Sequence, residues 1–179
     1  MAGLQQAEHR SPTWIRAWFI LSAIVVMWDV GYCLARPHSF QGGKWHWIWW
    51  PYSLYERTDV IYSPEYYATG AGFTSAQAYL NIVETGVNLL YVFLAGRKSP
   101  VAILAGFIGV LFTFWKTVLY WLQDQQCGWC YTGQNSQRDW WLLFALPNGL
   151  WLVIPGLIAI IFGRELAAGL RAGAKAKVL

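Results

Sequence analysis

The sequence predicts an all-α protein, an integral membrane bundle of four helices with a pocket inside the membrane. Hydrophobic residues make up 56% of its 179 residues and charged residues only 12%. Four apolar runs are each long enough to cross about 30 Å of hydrocarbon. Thirteen tryptophans are present, and tryptophan is enriched where a membrane meets water. The length suits a single domain.

We predict the spans at about residues 14–35, 72–95, 101–122 and 140–162 of one domain that covers residues 1–179. The first span is too long, and lacks the small-residue cleavage site, for a simple signal peptide. Pro147 and Pro155 fall in the fourth span. Each proline removes a backbone donor, so a kinked helix is expected there.

The long connection at residues 36–69 has too many charges to span a membrane and is rich in aromatic residues. Its cluster consists of Trp45, Trp47, Trp49, Trp50, Tyr52 and Tyr55. We predict an interfacial segment among the lipid headgroups, with one short helix over residues 53–62. It either roofs a cavity between the spans or serves only as an aromatic anchor.

The basic residues are distributed unequally between the two sides of the predicted bundle. On the side of the chain ends lie Arg10, Arg16, Arg97, Lys98, Arg164, Arg171, Lys175 and Lys177. The opposite loops hold Arg36, Lys44, Arg57 and Arg138. Because basic residues favour the cytoplasmic side, we predict cytoplasmic termini. We interpret the net charge of +4 as a topology signal and expect no nucleic-acid partner.

One face of the second span is polar. Gln77, Asn81, Glu84 and Asn88 fall within a sector of about 60° on a helix. Such a stripe must face other protein or a cavity. The two asparagines either form hydrogen bonds between helices or contact a ligand. A carboxylate inside a membrane is costly, so we interpret Glu84 as a functional residue.

Polar residues of the other spans lie at similar depth. Measured from the side opposite the termini at 1.5 Å per residue, Asp29 and Lys116 lie about 9 Å deep, Asn148 about 12 Å and Glu84 about 18 Å. The agreement predicts one shared site. Asp29 has the alternative of an interfacial position bonded to water. Lys116 either extends outward to the headgroups or pairs with an acid inside the bundle.

The three cysteines divide into a pair and a single thiol. Cys127 and Cys130 lie in the loop at residues 123–138, which faces a lumen in the predicted topology. We favour a structural disulfide there over free thiols or a redox motif, because no βαβ pattern surrounds the pair. Cys33 is expected to be a packed core thiol. No cluster of metal ligands is apparent, so no metal is expected.

Four short motifs resemble the EXPERA superfamily, in particular the emopamil-binding sterol isomerases and the sigma-2 branch. They are Trp28-Asp29-Val-Gly-Tyr32, Val83-Glu84-Thr85, Val118-Leu-Tyr120 and the run from Asn148 to Gly156. The resemblance implies a compact helical bundle in the endoplasmic reticulum membrane, with a pocket for a lipophilic small molecule and no cofactor. It leaves the oligomeric state open, a homodimer included.

The isomerases of this superfamily shift a ring double bond by protonating an alkene and removing a neighbouring proton. By resemblance, Asp29 and Glu84 are the acid–base pair, Asn148 orients one of them, and Trp151 lines the cation site. We also expect substrate contacts from Trp28, Asn81, Asn88, Lys116, Thr117 and Tyr120, of which Lys116, Thr117 and Tyr120 lie near one face of the third span.

Two departures from the family pattern affect the substrate that we expect. Val25 stands where the isomerases carry a histidine, and Lys116-Thr117 replaces an acid. We therefore expect isomerisation or cyclisation of a sterol-, terpenoid- or polyketide-like molecule. The alternative is a non-enzymatic sterol or lipid binder of the sigma-2 type.

Overall fold

A computed structural model describes residues 11–176, and within that range the chain forms helices and turns without a strand. The helices are α1 (Thr13–Leu34), α2 (Tyr52–Thr58), α3 (Pro64–Ala68), α4 (Phe73–Gly96), α5 (Ala102–Gln126), α6 (Gln137–Asp139) and α7 (Leu146–Ala176). Short 3₁₀ turns occur at His46–Ile48 and Val60–Tyr62, and a π-helical turn at Trp140–Ala145 joins α6 to α7. The predicted all-α fold is confirmed. Arg10 and Lys177, used in the topology prediction, lie outside the described residues.

Within residues 11–176, four helical segments are long and apolar enough to cross a membrane: α1, α4, α5 and the continuous stretch Gln137–Lys175. Helix α1 packs on α4, α4 on α5, and α5 on α7. A bundle of four long apolar helices is therefore present, as predicted. Because the number of crossings is even, α1 begins and α7 ends on the same side of the bundle.

Three boundaries differ from the prediction. Helix α5 continues through Gln126 and α7 through Ala176; neither extension contains proline, so helical hydrogen bonding continues past the apolar run. The predicted single helix at residues 53–62 is instead divided at Asp59. There the backbone is extended (φ −129°, ψ 102°), and the Asp59 carboxylate accepts a hydrogen bond from the backbone N–H of Ile61.

Close helix contact in the lower bundle depends on two glycines of α5. A Cβ atom on Gly106 would lie 2.6 Å from the Phe162 ring of α7, and one on Gly109 would lie 2.3 Å from Asn88 Oδ1 of α4. At those separations a Cβ atom at either position would force the neighbouring side chain to move. Glycine therefore lets α4 and α7 approach α5 on two sides.

The connection between α1 and α4, residues 36–69, forms a folded layer that we call the aromatic cap. On one side the Tyr32 hydroxyl of α1 donates to Glu56 Oε1 over 2.7 Å, and Trp49 Nε1 donates to the Trp28 carbonyl over 2.8 Å. On the other side Asn135 Nδ2 donates to the Thr58 carbonyl over 2.7 Å. The cap is thus fixed both to the bundle and to the loop that precedes α6.

Candidate functional site

A cavity of about 410 Å³ lies at the cap end of the bundle, between α1, α4, α5 and α7. That volume falls within the range of small-molecule pockets. The aromatic cap supplies Pro51, Tyr52, Leu54, Tyr55, Thr58 and Tyr62 to its lining. Of the two predicted roles for this connection, the structure therefore supports a roof over a cavity.

Asp29 of α1 lines the cavity and is oriented by the cap. The Tyr52 hydroxyl donates to Asp29 Oδ1 over 2.6 Å. The Tyr52 ring is itself fixed by stacking on Tyr32, with centroids 3.9 Å apart, and by an edge contact with Trp28 at 5.2 Å. Asp29 is therefore not a headgroup residue bonded only to water: its carboxyl group has a fixed direction in the cavity wall.

The phenols beside Asp29 remain hydrogen-bond donors. Burial, followed by the charge of Asp29, raises the pKa of Tyr52 well above its ordinary value. The same two causes raise the pKa of Tyr62. Neither phenol ionises near neutral pH, so the polar corner at Asp29 consists of one carboxyl group and neutral hydroxyls.

Lys116 of α5 forms the second polar corner. Its Nζ atom lies 2.6 Å from Glu84 Oε2 and also donates to Asn81 Oδ1. Lys116 and Asn81 line the cavity, whereas Glu84 is only 1% exposed and lies behind them. Lys116 was expected either to extend to the headgroups or to pair with an acid inside the bundle. The structure shows the ion pair inside the bundle.

Two residues of the predicted site do not reach the cavity wall. Glu84 faces Lys116, so the predicted acid–base pair of Asp29 and Glu84 does not share one surface. Asn88 lies one helical turn beyond Glu84, against Gly109, and its Oδ1 atom has no hydrogen-bond partner among the described residues. Helical periodicity places all four stripe residues on one face, but the cavity reaches only the first turn of that face.

The third polar corner comes from the start of α7. Pro147 has no backbone N–H, and the turn before it is π-helical, a wider turn than an α-helix makes. Asn148 Nδ2 donates to the Phe144 carbonyl over 2.9 Å and to the Tyr55 hydroxyl over 3.2 Å. Trp151 follows on the same wall and contacts the Trp18 ring at 5.4 Å.

A chain of hydrogen bonds leads from Asn148 into the cap. The Tyr55 hydroxyl lies 3.4 Å from the Tyr120 hydroxyl, and Tyr120 donates to Asp59 Oδ2. Asp59 is 1% exposed. Burial raises its pKa from 3.8 to about 7; the hydrogen bonds from Tyr120 and the Ile61 N–H oppose the rise, and the charges of Asp124 and Asp29 add to it.

Most of the predicted site residues meet at this cavity. Those in its lining are Trp28, Asp29, Asn81, Lys116, Thr117, Tyr120, Asn148 and Trp151. Asp59 and the cavity-facing positions of Tyr52, Tyr55 and Tyr62 were not predicted from the sequence. The available signal was an acid followed by an apolar run, Asp59-Val-Ile-Tyr62, inside a connection otherwise considered interfacial.

The cysteine loop stabilises the cap from outside the cavity. Cys127 and Cys130 form a disulfide with Cα atoms 5.5 Å apart, as predicted, and Cys33 is a buried free thiol, also as predicted. Asp124 accepts from the Tyr131 N–H at 2.8 Å and from Thr132 Oγ1 at 2.5 Å.

Asp124 and the two cysteines are spaced closely enough for a metal ion. The disulfide leaves neither cysteine with a thiolate to bind one.

A scan against protein-family models and a search of curated proteins both find no match for the chain. Membership of the EXPERA superfamily therefore stays a prediction from the motifs quoted above. The function proposed below rests on the geometry of the cavity.

Proposed function

We propose that the protein is a membrane-embedded isomerase or cyclase that acts on a lipophilic sterol-, terpenoid- or polyketide-like alkene. The proposal rests mainly on the position of the Asp29 carboxyl group. A carboxyl group held by Tyr52 at 2.6 Å projects into a ligand-sized cavity between membrane-spanning helices. A positioned carboxyl group in a site lined largely by apolar side chains is suited to proton transfer to a carbon–carbon double bond.

The proposed reaction starts with protonated Asp29. Its proton adds to one alkene carbon, the π electrons form the new C–H bond, and a carbocation is left on the adjacent carbon. In an isomerase, loss of a proton from a neighbouring carbon turns that C–H electron pair into the shifted double bond. In a cyclase, a second alkene of the same substrate attacks the cation before that proton is lost. Neither version needs a cofactor.

The aromatic walls support the cationic intermediate. Trp151 of α7 and Trp28 of α1 both line the cavity. The face of an indole ring attracts a cation when water is excluded. Asn148 orients the Tyr55 hydroxyl beside this path.

The Lys116 ammonium group requires compensation, because it would repel a cation. Glu84 supplies the opposite charge at 2.6 Å, so the pair adds little net charge to the site. We assign Glu84 this role in place of the proton transfer expected from the family resemblance. Lys116, Asn81 and Thr117 then contact the polar end of the substrate.

We also propose the endoplasmic reticulum membrane as the location, with both termini cytoplasmic. Arg16, Arg97, Lys98, Arg164 and Arg171 support this orientation, since all lie at the end of the bundle away from the cap. The cap and the disulfide loop then face the lumen, where a disulfide persists.

The test compares lipids of microsomes from cells that express the protein with lipids of microsomes from cells that lack it, after incubation in D₂O. Mass spectrometry should find a product of the substrate's formula that carries one solvent-derived deuterium at carbon. Asp29→Asn should lower its formation by about 10²- to 10⁴-fold. Asp139→Asn, a change at an exposed carboxylate of α6, is the matched control. Full product formation by Asp29→Asn would refute the acid role.

A non-enzymatic binder is the second candidate, and the position of Glu84 favours it. With Glu84 behind Lys116, Asp29 supplies the one carboxyl group in the cavity lining among residues 11–176. A single carboxylate would suffice to hold an amine or a hydroxyl group. Purified protein that carries an unchanged lipid, released by Asp29→Asn, would support the binder over the enzyme.

A further inference from the structure

A second buried carboxyl group is connected to the cavity through hydroxyl groups. Asp59 lies in the cap, outside the cavity lining, and Tyr120 donates to its Oδ2 atom. Both Tyr120 and Tyr55 line the cavity, and their hydroxyl oxygens are 3.4 Å apart. Asn148 Nδ2 donates to the Tyr55 hydroxyl over 3.2 Å.

The direction of these hydrogen bonds follows from the donors. Asn148 Nδ2 can only donate, and the Tyr120 proton is directed at Asp59. Tyr120 therefore accepts from Tyr55, whose own proton is directed at Tyr120. The remaining lone pair of the Tyr55 oxygen is the free acceptor of the chain, so a proton taken up there is passed on toward Asp59.

We propose that Tyr55, Tyr120 and Asp59 form a proton relay that receives the proton lost by the carbocation. This inference rests on the proposed isomerase or cyclase function. Tyr55 is the catalytic residue, because it alone in the relay touches the substrate C–H bond. Tyr120 passes the proton on, and Asp59 is a positioning residue that acts through Tyr120.

The proton transfers balance. Asp29 begins protonated and Asp59 ionised. Asp29 gives its proton to the alkene, and the substrate then loses a neighbouring proton to Tyr55 while its C–H electrons form the new double bond. Tyr55 passes its own proton to Tyr120, and Tyr120 passes its proton to Asp59. Asp29 ends ionised and Asp59 protonated. After the product leaves, the relay runs in reverse from Asp59 to Tyr55, and water that enters the emptied cavity carries the proton from Tyr55 to Asp29.

The acid–base properties of the cap residues agree with this assignment. Burial raises the pKa of Asp59 to about 7, so the carboxyl group exchanges protons near neutral pH. Burial and the charge of Asp59 raise the pKa of Tyr55, so this residue transmits a proton without persisting as a phenolate. The relay therefore supplies the second carboxyl group that Glu84 does not provide to the cavity.

Titratable groups from several elements face Asp59 and would influence the pH at which its carboxyl group ionises. They are Asp29 of α1, Tyr55 of α2, Tyr66 of α3, Tyr120 and Asp124 of α5, and Tyr131 of the cysteine loop. Any measured pH midpoint is assigned to Asp59 only if Asp59→Asn removes it.

The first experiment does not require turnover. Infrared spectra of the full chain in phosphatidylcholine nanodiscs, titrated from pH 5 to 9, should contain a carboxyl band that Asp59→Asn removes. Tyr120→Phe should raise the midpoint of that band, because the ionised form loses a donor, and Tyr55→Phe should raise it by less. Tyr79→Phe is the matched control, because it removes the hydroxyl of an exposed phenol of α4 outside the cavity and should leave the midpoint unchanged. An Asp59 midpoint that neither Tyr55→Phe nor Tyr120→Phe moves would overturn the relay.

The second experiment uses the deuterated product of wild-type cells. Its formation in isolated microsomes should rise between pH 6 and 8 as Asp59 ionises. Asp59→Asn and Tyr55→Phe should each lower formation by at least about 10²-fold, and Asp59→Asn should also abolish the rise. Asp59→Glu should restore part of both. An unchanged pH profile in Asp59→Asn would overturn the relay while leaving the function intact. If the infrared shifts are present but the wild type forms no deuterated product, the proposed function is overturned instead.

Discussion

The ion pair between Lys116 and Glu84 allows a prediction whose size can be worked from the structure. Glu84 is 1% exposed and Lys116 13% exposed, with 2.6 Å between the charged atoms. Glu84→Gln keeps the volume and an acceptor oxygen but leaves the ammonium group without an opposite charge. Removing one partner of a buried pair costs about 3–5 kcal/mol. We expect about 3 kcal/mol, because the amide oxygen still accepts from Lys116.

The assay is thermal unfolding of the purified protein in detergent. For a chain of this size a destabilisation of 1 kcal/mol lowers Tm by about 2–4 °C, so Glu84→Gln should lower Tm by about 6–12 °C. Glu84→Gln combined with Lys116→Met should recover most of that loss, since an apolar side chain of similar length replaces the unpaired charge. Glu65→Gln, at an exposed glutamate of α3, is the control.

The same variants separate the two roles considered for Glu84. If Glu84 only balances the charge of Lys116, the double variant should regain stability and part of the product formation, the rest being lost with the contact of Lys116 with the substrate. If Glu84 carries a proton to the substrate, product formation should stay absent in both variants. A Tm of Glu84→Gln within 2 °C of the wild type would refute the energetic reasoning for a buried pair.

Three further predictions concern packing, pH and the disulfide. Gly106→Ala should lower stability by about 1–3 kcal/mol through overpacking, whereas Gly86→Ala, which meets nothing within 4 Å, should not destabilise; Tm measures both. Because the pKa of Asp59 rises from 3.8 to about 7 on folding, the native state binds the extra proton between those values. Stability should therefore fall as pH rises through that window, by up to about 4 kcal/mol, and Asp59→Asn should flatten the dependence of Tm on pH. Non-reducing peptide mapping should find Cys127 joined to Cys130, and replacing both by serine should cost about 2 kcal/mol, the loop-entropy value for so short a ring.

The sequence alone determined the membrane bundle and much of its polar site. Long apolar runs have few structural alternatives, because backbone groups in lipid must form their hydrogen bonds within a helix. Asp29, Lys116 and Asn148 could be placed in one layer because rise per residue converts position along a helix into depth. Asn81 and Tyr120 followed from the face of the helix that they share with those groups.

Only the tertiary structure decided which polar residues of that layer line the cavity and which lie behind them. Depth and periodicity say nothing about which side chain stands in front of another, so Glu84 was expected on the cavity wall although Lys116 and Asn81 cover it. The aromatic cap was equally undetermined. Its fold depends on distant contacts, such as Asn135 Nδ2 with the Thr58 carbonyl and Tyr120 with Asp59. Contacts between residues far apart in the chain leave no local periodicity in the sequence, and for that reason only the folded protein revealed Asp59.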